Sequence, residues 1–459
     1  MPKAKPPVLK GSDGKPFVIT INDFKAGTQT LLDDSRIPQT GVKTSQNMML
    51  DQDGICRIRD GSQVYGQSLT GPIDGGGTIV KYNADGTTTS WLLVIDNGTL
   101  KRSADGGAWT SISGKTYTIG YPAQLLQVKS RVYITNGKDA LSYYDIALDS
   151  IVTYVALAVP TGVTPVKTGL AGTNYTAYYK ITAVLAAIGE TAASTETSVT
   201  IGKQRTVNGT IPNWTSGADF VTISWGAVAS ADRYNIYYSD QTGQEVFLDS
   251  VTGTSYIDTG FITPNPYQAS PAFDGTAGPA LGTQELSGNR LWGTGDNSNP
   301  YRVSWTGTGS YFGSFNPYYG GGYIDLELGG AERPQSVKHY RDGKGNQVPA
   351  VLTNNPTGGG SVWFITLTTV SAGALLVVIP QATKQGSIGT NSPRGVISAN
   401  NNVYYPSVKG FQSLGSSQAI FNVLVTSEIS SNIRPNVRAL TGSATSNICG
   451  IYYLGRIYW

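Results

Sequence analysis

The chain has little of what most catalytic and metal sites need: one histidine, two cysteines, three methionines, and charge on only 14% of its 459 residues. A single imidazole, His339, removes most nucleophile-base triads. It also cannot form a zinc site with two distant thiols. In the local run SVKHYRDGKGN it reads as a solvated loop residue. Cys56 and Cys449 read as buried free thiols, because a lone pair in a cytoplasmically made protein is seldom bridged; a ring that joins the chain ends would open the disulfide alternative. The longest apolar stretch, 374–380, has the length of a strand and falls far short of a membrane span. The basic, proline-containing start MPKAKPPVLKGSDGKPF lacks the apolar run of a secretion signal. A net charge of +3 is near balance and does not resemble a polybasic grip on nucleic acid.

What is present favours β-structure: 57 glycines, 27 tyrosines, 8 tryptophans and abundant Thr, Ser and Val suit strands joined by tight turns. A short motif recurs as Arg131-Val132-Tyr133, Arg290-Leu291-Trp292, Asn402-Val403-Tyr404 and Arg456-Ile457-Tyr458. Each copy is a basic or amide residue, an aliphatic residue, then an aromatic, alternating as a strand with one buried face does. Arg290 to Asn402 spans 112 positions and Asn402 to Arg456 spans 54, two periods and then one. A weaker unit falls near Gln347–Leu352. A period of about 55 holding several short strands predicts β-propeller blades. Trp91–Ile95, Asp96-Asn97-Gly98 and Thr99–Arg102 predict a hairpin on an Asn-Gly turn. Ser103–Trp109 has the outline of an Asp-box blade turn but is one residue short. The last residues begin a repeat, which suggests closure by an N-terminal strand, with Phe17–Ile21 the candidate.

Arg131 and Arg290 are 159 positions apart, which breaks the period unless about a hundred residues have been inserted. Residues 160–263 supply that insert. Asn174–Val184 and a Ser/Thr-rich strand through Ile201 resemble late strands of a fibronectin type III module, and Val221–Tyr238 with Thr254–Gly260 resemble its early and middle strands, so the order looks permuted. Trp225, Tyr234 and Ile236 are placed to face a two-sheet core. The organisation read from sequence is an N-terminal arm over 1–16, a first propeller part over 17–159, the Ig-like insert over 160–263, and a second propeller part over 264–459. The strands at Arg131 and Arg290 should then lie in adjacent or near-adjacent blades.

The remaining chemistry is sparse. Asp325 and Glu327 read as alternating on one strand, as paired-carboxylate glycoside hydrolysis would require, with a plain solvent-facing strand as the simpler account. Asp51-Gln52-Asp53-Gly54 begins like a calcium loop but lacks the later acidic ligands, so it reads as a turn. Gly75–Gly77, Gly320–Gly322 and Gly358–Gly360 lead into no phosphate-loop Lys-Ser or Lys-Thr and read as flexible turns. Lys338, Arg341 and Lys344 form a small basic cluster, suited to a phosphate backbone if it faces a channel and otherwise to an ordinary charged loop or a subunit contact. No catalytic, metal or cofactor-binding residue is expected.

IPQTGVKTSQNMMLDQDGICRIRDG resembles the opening of tail nozzle and packaged-DNA stabilisation proteins of short-tailed bacteriophages, where a G-x-x-R-x-R-x-G start precedes propeller blades. RLWGTGDNSNPYRVSWTG and SPRGVISANNNVYYPSVKGFQSL resemble later blades of those proteins, so the likeness spans most of 37–145 and 288–459. It implies a non-enzymatic virion component made in the host cytoplasm: a ring of six copies in the tail, below the portal or adaptor and next to fibres or spikes. Double-stranded DNA would pass along its axis without sequence specificity. The alternative is a β-propeller adhesin or carbohydrate-binding protein, with Trp292, Trp305, Tyr318 and Tyr319 lining a sugar site.

Overall fold

The protein's structure, a computed structural model, describes residues 67–459 except 105–106, 186–187, 208–210, 213, 273, 328, 342–344, 346, 356–358, 373–374, 418–422, 431–445 and 454–455. It also describes four short strands nearer the N-terminus, Gly27–Thr28, Gly41–Val42, Met48–Leu50 and Cys56–Ile58. The arm over 1–16, the strand expected at Phe17–Ile21, the turn at Asp51–Gly54, the middle of the Asp-box-like turn and Lys344 lie outside the described residues, as does the side chain of Cys56.

Alternating apolar positions and tight turns produce five antiparallel four-stranded meanders, here called blades. Blade 1 comprises Ile73–Tyr82, Thr88–Asp96, Thr99–Ala104 and Thr110–Thr116, and blade 2 comprises Gln124–Val128, Arg131–Thr135, Ser142–Asp145 and Ser150–Thr153. Blade 3 is Thr283–Ser287, Arg290–Thr294, Arg302–Trp305 and Gly322–Asp325; blade 4 is Arg333–Arg341, Gln347–Asn354, Val362–Ala372 and Leu375–Gly386. Blade 5 is Ile397–Ala399, Asn402–Ser407, Gly410–Ser417 and Val423–Glu428. First strands pack against first strands in the order of blades 1 to 5, and a C-terminal hairpin, Ile451–Tyr453 with Arg456–Tyr458, continues the series beside blade 5. The fold is all-β: a β-propeller interrupted by an inserted β-sandwich.

The recurring motif marks the second strand in blades 2, 3 and 5 and in the C-terminal hairpin, and the weaker unit at Gln347 is the second strand of blade 4. Its regularity comes from the turn before it. Gly288 and Asn289 have φ of 56° and 58°, and Asn400 and Asn401 have 49° and 63°, so both hairpins use left-handed two-residue turns that match strand twist. The expected Asn97-Gly98 turn is of the same kind, with φ of 50° and 75°.

The insert is a sandwich of two sheets. One orders Thr164–Thr168, Phe220–Ser224 and Ser255–Asp258; the other orders Tyr175–Leu185, Arg233–Ser239, Val246–Val251 and Asn265–Ala269, with Gly189–Glu190 and Thr197–Ile201 both on Tyr175–Leu185. The strands that read as late-type thus precede and pair with the early-type ones. Asn265–Ala269 carries the sandwich past residue 263, a strand that mostly exposed side chains and Pro266 hide from pattern reading. Trp225, Tyr234 and Ile236 lie in the sandwich core with Tyr179, Ile181, Val221 and Ile223.

Between blades the core is continuous. Trp292 and Trp305 face each other across blade 3 with centroids 5.3 Å apart, and pack onto Val337, Val351 and Ile365 of blade 4. Tyr133 of blade 2 and Leu291 of blade 3 share one buried cluster, so the Arg131 and Arg290 strands do lie in neighbouring blades. The Gly75–Gly77 run is not a turn: it lies within the first strand of blade 1, where a Cβ on Gly75 would sit 2.7 Å from the Ala123 carbonyl oxygen of the approaching chain. Gly320 has the positive φ of the expected turn and Gly322 opens a strand against the Trp305 ring, while Gly359 and Gly360 also have the positive φ of a turn.

Candidate functional site

Two members of the basic cluster expected in a loop, Lys338 and Arg341, lie instead on the innermost strand of blade 4. A register shift between Pro334 and Ser336 breaks the alternation that would have marked this strand in the sequence. Lys338 Nζ pairs with Glu285 Oε2 at 2.9 Å, and His339 Nδ1 lies 2.8 Å from Oε1 of the same carboxylate, on the first strand of blade 3. His339 is therefore a half-buried strand residue at a blade junction and not a solvated loop residue. Burial raises the Glu285 carboxyl, but the Lys338 ammonium and the His339 hydrogen bond outweigh it and hold the group below its ordinary value. Lys338 is thus neutralised across the junction, and among the described residues of the cluster Arg341, exposed at the strand end, carries it outward.

The innermost strands have free backbone edges, and amide and hydroxyl side chains from neighbouring blades cover them. Gln127 accepts the Val80 N–H at 2.8 Å and donates to the Val80 carbonyl at 2.6 Å, while Gln124 does the same for Gln284 at 2.8 and 3.0 Å. Thr283 donates to the Gln335 carbonyl and Ser398 to the His339 carbonyl. Nothing in single-sequence periodicity flags these residues, because their role depends on which blade is the neighbour.

The expected carboxylate pair separates. Asp325 accepts a bidentate bond from Arg302, at 2.9 and 3.1 Å, within blade 3. Glu327 lies beyond that strand with a φ of 47° and pairs with Lys384 of blade 4. They share no face, since the strand ends at Asp325 and the chain turns.

A buried polar cluster lies at the junction of insert and propeller. Glu190, fully buried, accepts the Tyr237 hydroxyl at 2.6 Å, the Asn235 amide at 2.9 Å and the Thr182 hydroxyl within the sandwich. Its second oxygen takes the Tyr319 hydroxyl of the propeller at 3.3 Å. Burial raises both phenols, which keeps them protonated as donors. Beside this, Leu185 and Ile188 of the insert pack with Tyr133, Tyr143, Tyr154, Leu291, Phe312 and Phe315 of blades 2 and 3. The sequence signal was a lone acid, Glu190, after Gly189 in an otherwise uncharged run.

A cleft of about 900 Å³ opens next to the junction, bounded by the return segment 270–280 and by Asp296, Arg302, Asn316 and Tyr323. The Arg302 guanidinium stacks 3.7 Å from the centre of the Tyr323 ring, which is 53% exposed. The aromatics first placed at a sugar site are elsewhere. Trp292 and Trp305 are buried, Tyr319 stacks on Tyr311 and bonds Glu190, and the Tyr318 side chain lies outside the described residues. Cys449 is exposed, not buried, in the connection leading to the C-terminal hairpin. Among the described residues no group of three or more His, Cys, Asp or Glu could hold a metal ion, and no helix is long and apolar enough to cross a membrane.

No family model and no curated protein matches the chain. Among solved structures it is similar to the computationally designed Ika8 protein at 12% identity and a TM-score of 0.20, covering 76% of this chain and 85% of that one. It is also similar to the extracellular domain of the putative hybrid two component system BT3049 from B. thetaiotaomicron, at 10% identity and a TM-score of 0.16, covering 76% of this chain and 58% of that one. Likeness at this level carries no argument, and the functional reading rests on the residues themselves.

Proposed function

We propose that the chain is a structural bacteriophage protein, a tail nozzle or stopper whose copies form a ring-shaped conduit for DNA below the portal or adaptor. The observation that carries this reading is mechanical. The insert is welded to the propeller through Glu190, Tyr319 and the aromatic cluster around Tyr154, and the propeller's inner strands are stapled to one another by Gln124 and Gln127. A stiff body of this kind suits a wall that bears load. With charge on 14% of residues and a net +3, such a wall releases few counterions from a duplex and so lets DNA slide. The sequence resemblance over 37–145 and 288–459 supports the same assignment, and on this reading the sandwich contacts fibres or neighbouring copies.

Negative-stain imaging of purified protein and of virions tests this reading. Six-fold rings with an axial hole wide enough for a duplex are expected, and a monomer retained on a glycan column would overturn it. The carbohydrate-binding alternative has one observation in its favour, the cleft walled by the exposed Tyr323 ring. On that reading Tyr323→Ala abolishes glycan retention, whereas on the conduit reading there is no retention to lose.

A further inference from the structure

We infer that the propeller closes as a ring through a sixth, composite blade, in which the C-terminal hairpin supplies the two inner strands and Met48–Leu50 with Cys56–Ile58 supplies the two outer ones. This goes beyond the functional reading above and does not depend on it.

Connectivity is the first support. Wherever one blade follows another directly, the outermost strand of the first leads to the innermost strand of the next: Thr110–Thr116 to Gln124–Val128, Gly322–Asp325 to Arg333–Arg341, and Leu375–Gly386 to Ile397–Ala399. By the same rule Cys56–Ile58, which precedes the innermost strand of blade 1, occupies an outermost position in the blade before it. Its partner Met48–Leu50 is then the third strand. The C-terminal hairpin holds the complementary positions: Ile451–Tyr453 packs on the first strand of blade 5, and Trp459 reaches blade 5 through a 2.8 Å bond from Nε1 to the Gly395 carbonyl and a ring contact with Phe411. Among the described residues each hairpin pairs only with itself, two strands in each, where every complete blade has four. A two-stranded hairpin is at best marginally stable alone, so each lacks what the other provides.

Side-chain exposure is the second support, and it is independent of connectivity. Ile451 and Tyr458 oppose each other on the hairpin face turned away from blade 5, and are 61% and 41% exposed. Tyr452, on the other face, bonds Asn400 of blade 5. On blade 1, Leu93, Ile95 and Leu100 point to blade 2 and are fully buried, whereas Ile73 and Tyr82 lie on the opposite face by register and are 58% and 74% exposed. The two surfaces that would meet in a closed ring thus each expose large apolar side chains, as some other parts of the surface also do. The occupant between them is the chain's own N-terminal hairpin, antiparallel to Arg456–Tyr458 as the third strand of a meander requires.

Disulfide trapping in the full chain tests this. In a Cys56→Ser, Cys449→Ser background, single cysteines at positions 48, 49 and 50 are combined in turn with single cysteines at 456, 457 and 458. Facing antiparallel residues have Cα atoms about 4.5–5.5 Å apart, inside the window of about 4.4–6.8 Å that a disulfide needs. At least one pair is expected to link within a single chain under mild oxidation, as read by non-reducing electrophoresis and peptide mass spectrometry. A control pairing position 49 with position 368 of blade 4 should not link. Links formed only between chains, or none among the nine combinations, would overturn the inference. In unmodified protein, hydrogen exchange at 451–458 should be slow, and Ile451→Asp should speed it; fast exchange in the unmodified chain would also overturn the inference.

Discussion

Several of the charged residues described are committed to structure. Arg290, the first residue of the clearest repeat, donates to the carbonyls of Thr306 and Gly320, and Arg131, its counterpart in blade 2, lies over the Tyr143 ring and pairs with Asp145. Asp96 beside the Asn-Gly turn is fully buried and accepts Lys101 at 2.6 Å and the Gly71 N–H at 2.8 Å. The Lys101 hydrogen bond leads the causes that bring its carboxyl down to about 2. A depressed carboxyl stabilises the fold above its unfolded value of about 3.9, and that contribution disappears as pH falls toward the folded value. Thermal melts should therefore show Asp96→Asn converging on the parent between about pH 4 and pH 2 and differing from it by a constant amount above about pH 5. In the sandwich, Arg205 and Asp258 form a bidentate pair at 3.0–3.1 Å, both essentially buried, with the Tyr179 hydroxyl on the same carboxylate. Arg205→Met alone strands a buried charge and should cost about 3–5 kcal/mol in urea unfolding. Adding Asp258→Leu should recover most of the loss, and a double variant no better than the single would count against the pairing as the cause.

At the scale of elements, glycine positions set how closely strands approach. Gly114 has a φ of +113°, and a Cβ there would lie 2.4 Å from the Ile151 oxygen, where the outer strands of blades 1 and 2 meet at a single bridge. Gly114→Val should lower the melting temperature by several degrees, and hydrogen exchange should locate the loosening at 110–116 and 150–153; an unchanged melt would remove the contact from the list of constraints. Elements built on local patterns were legible in the sequence. The Asn97-Gly98 hairpin, the motif strands at Arg131, Arg290 and Asn402, and the inward Trp225, Tyr234 and Ile236 follow from period, turn chemistry and alternation, which depend on near neighbours only. The misreadings share a different cause. The Arg333–Arg341 strand is disguised by a bulge, the Gly75–Gly77 run needs an approaching partner to explain it, and Glu327 leaves its strand one turn early. The basic cluster was visible as a cluster, but its neutralisation by Glu285, 53 positions away from Lys338, depends on which strands lie innermost.

For the whole molecule, the arrangement of the insert's two ends decides how it could have entered a propeller. The outgoing and returning segments run side by side: the Leu157 N–H donates to Thr276 Oγ1 at 2.8 Å, and Gly278 lies against the Tyr154 ring, where a Cβ would come within 2.7 Å. Neighbouring ends are what domain insertion requires, because the host need not move apart to admit the guest. The insert also has its own core, from Leu157 to Tyr256, distinct from the blade cores. Replacing residues 158–275 by a short Gly-Ser linker should therefore leave a folded propeller, with near-native strand content by circular dichroism. Its stability should be reduced, because the excision exposes Tyr154, Phe312 and Phe315 and leaves Tyr319 without Glu190. Tyr319→Phe in the intact chain separates the two effects: it removes only the polar link and should speed proteolysis near 270–280 while leaving the blade cores unaltered. If the excised propeller fails to fold while Tyr319→Phe is silent, the apolar cluster, and not the buried carboxylate, fastens the sandwich to the ring.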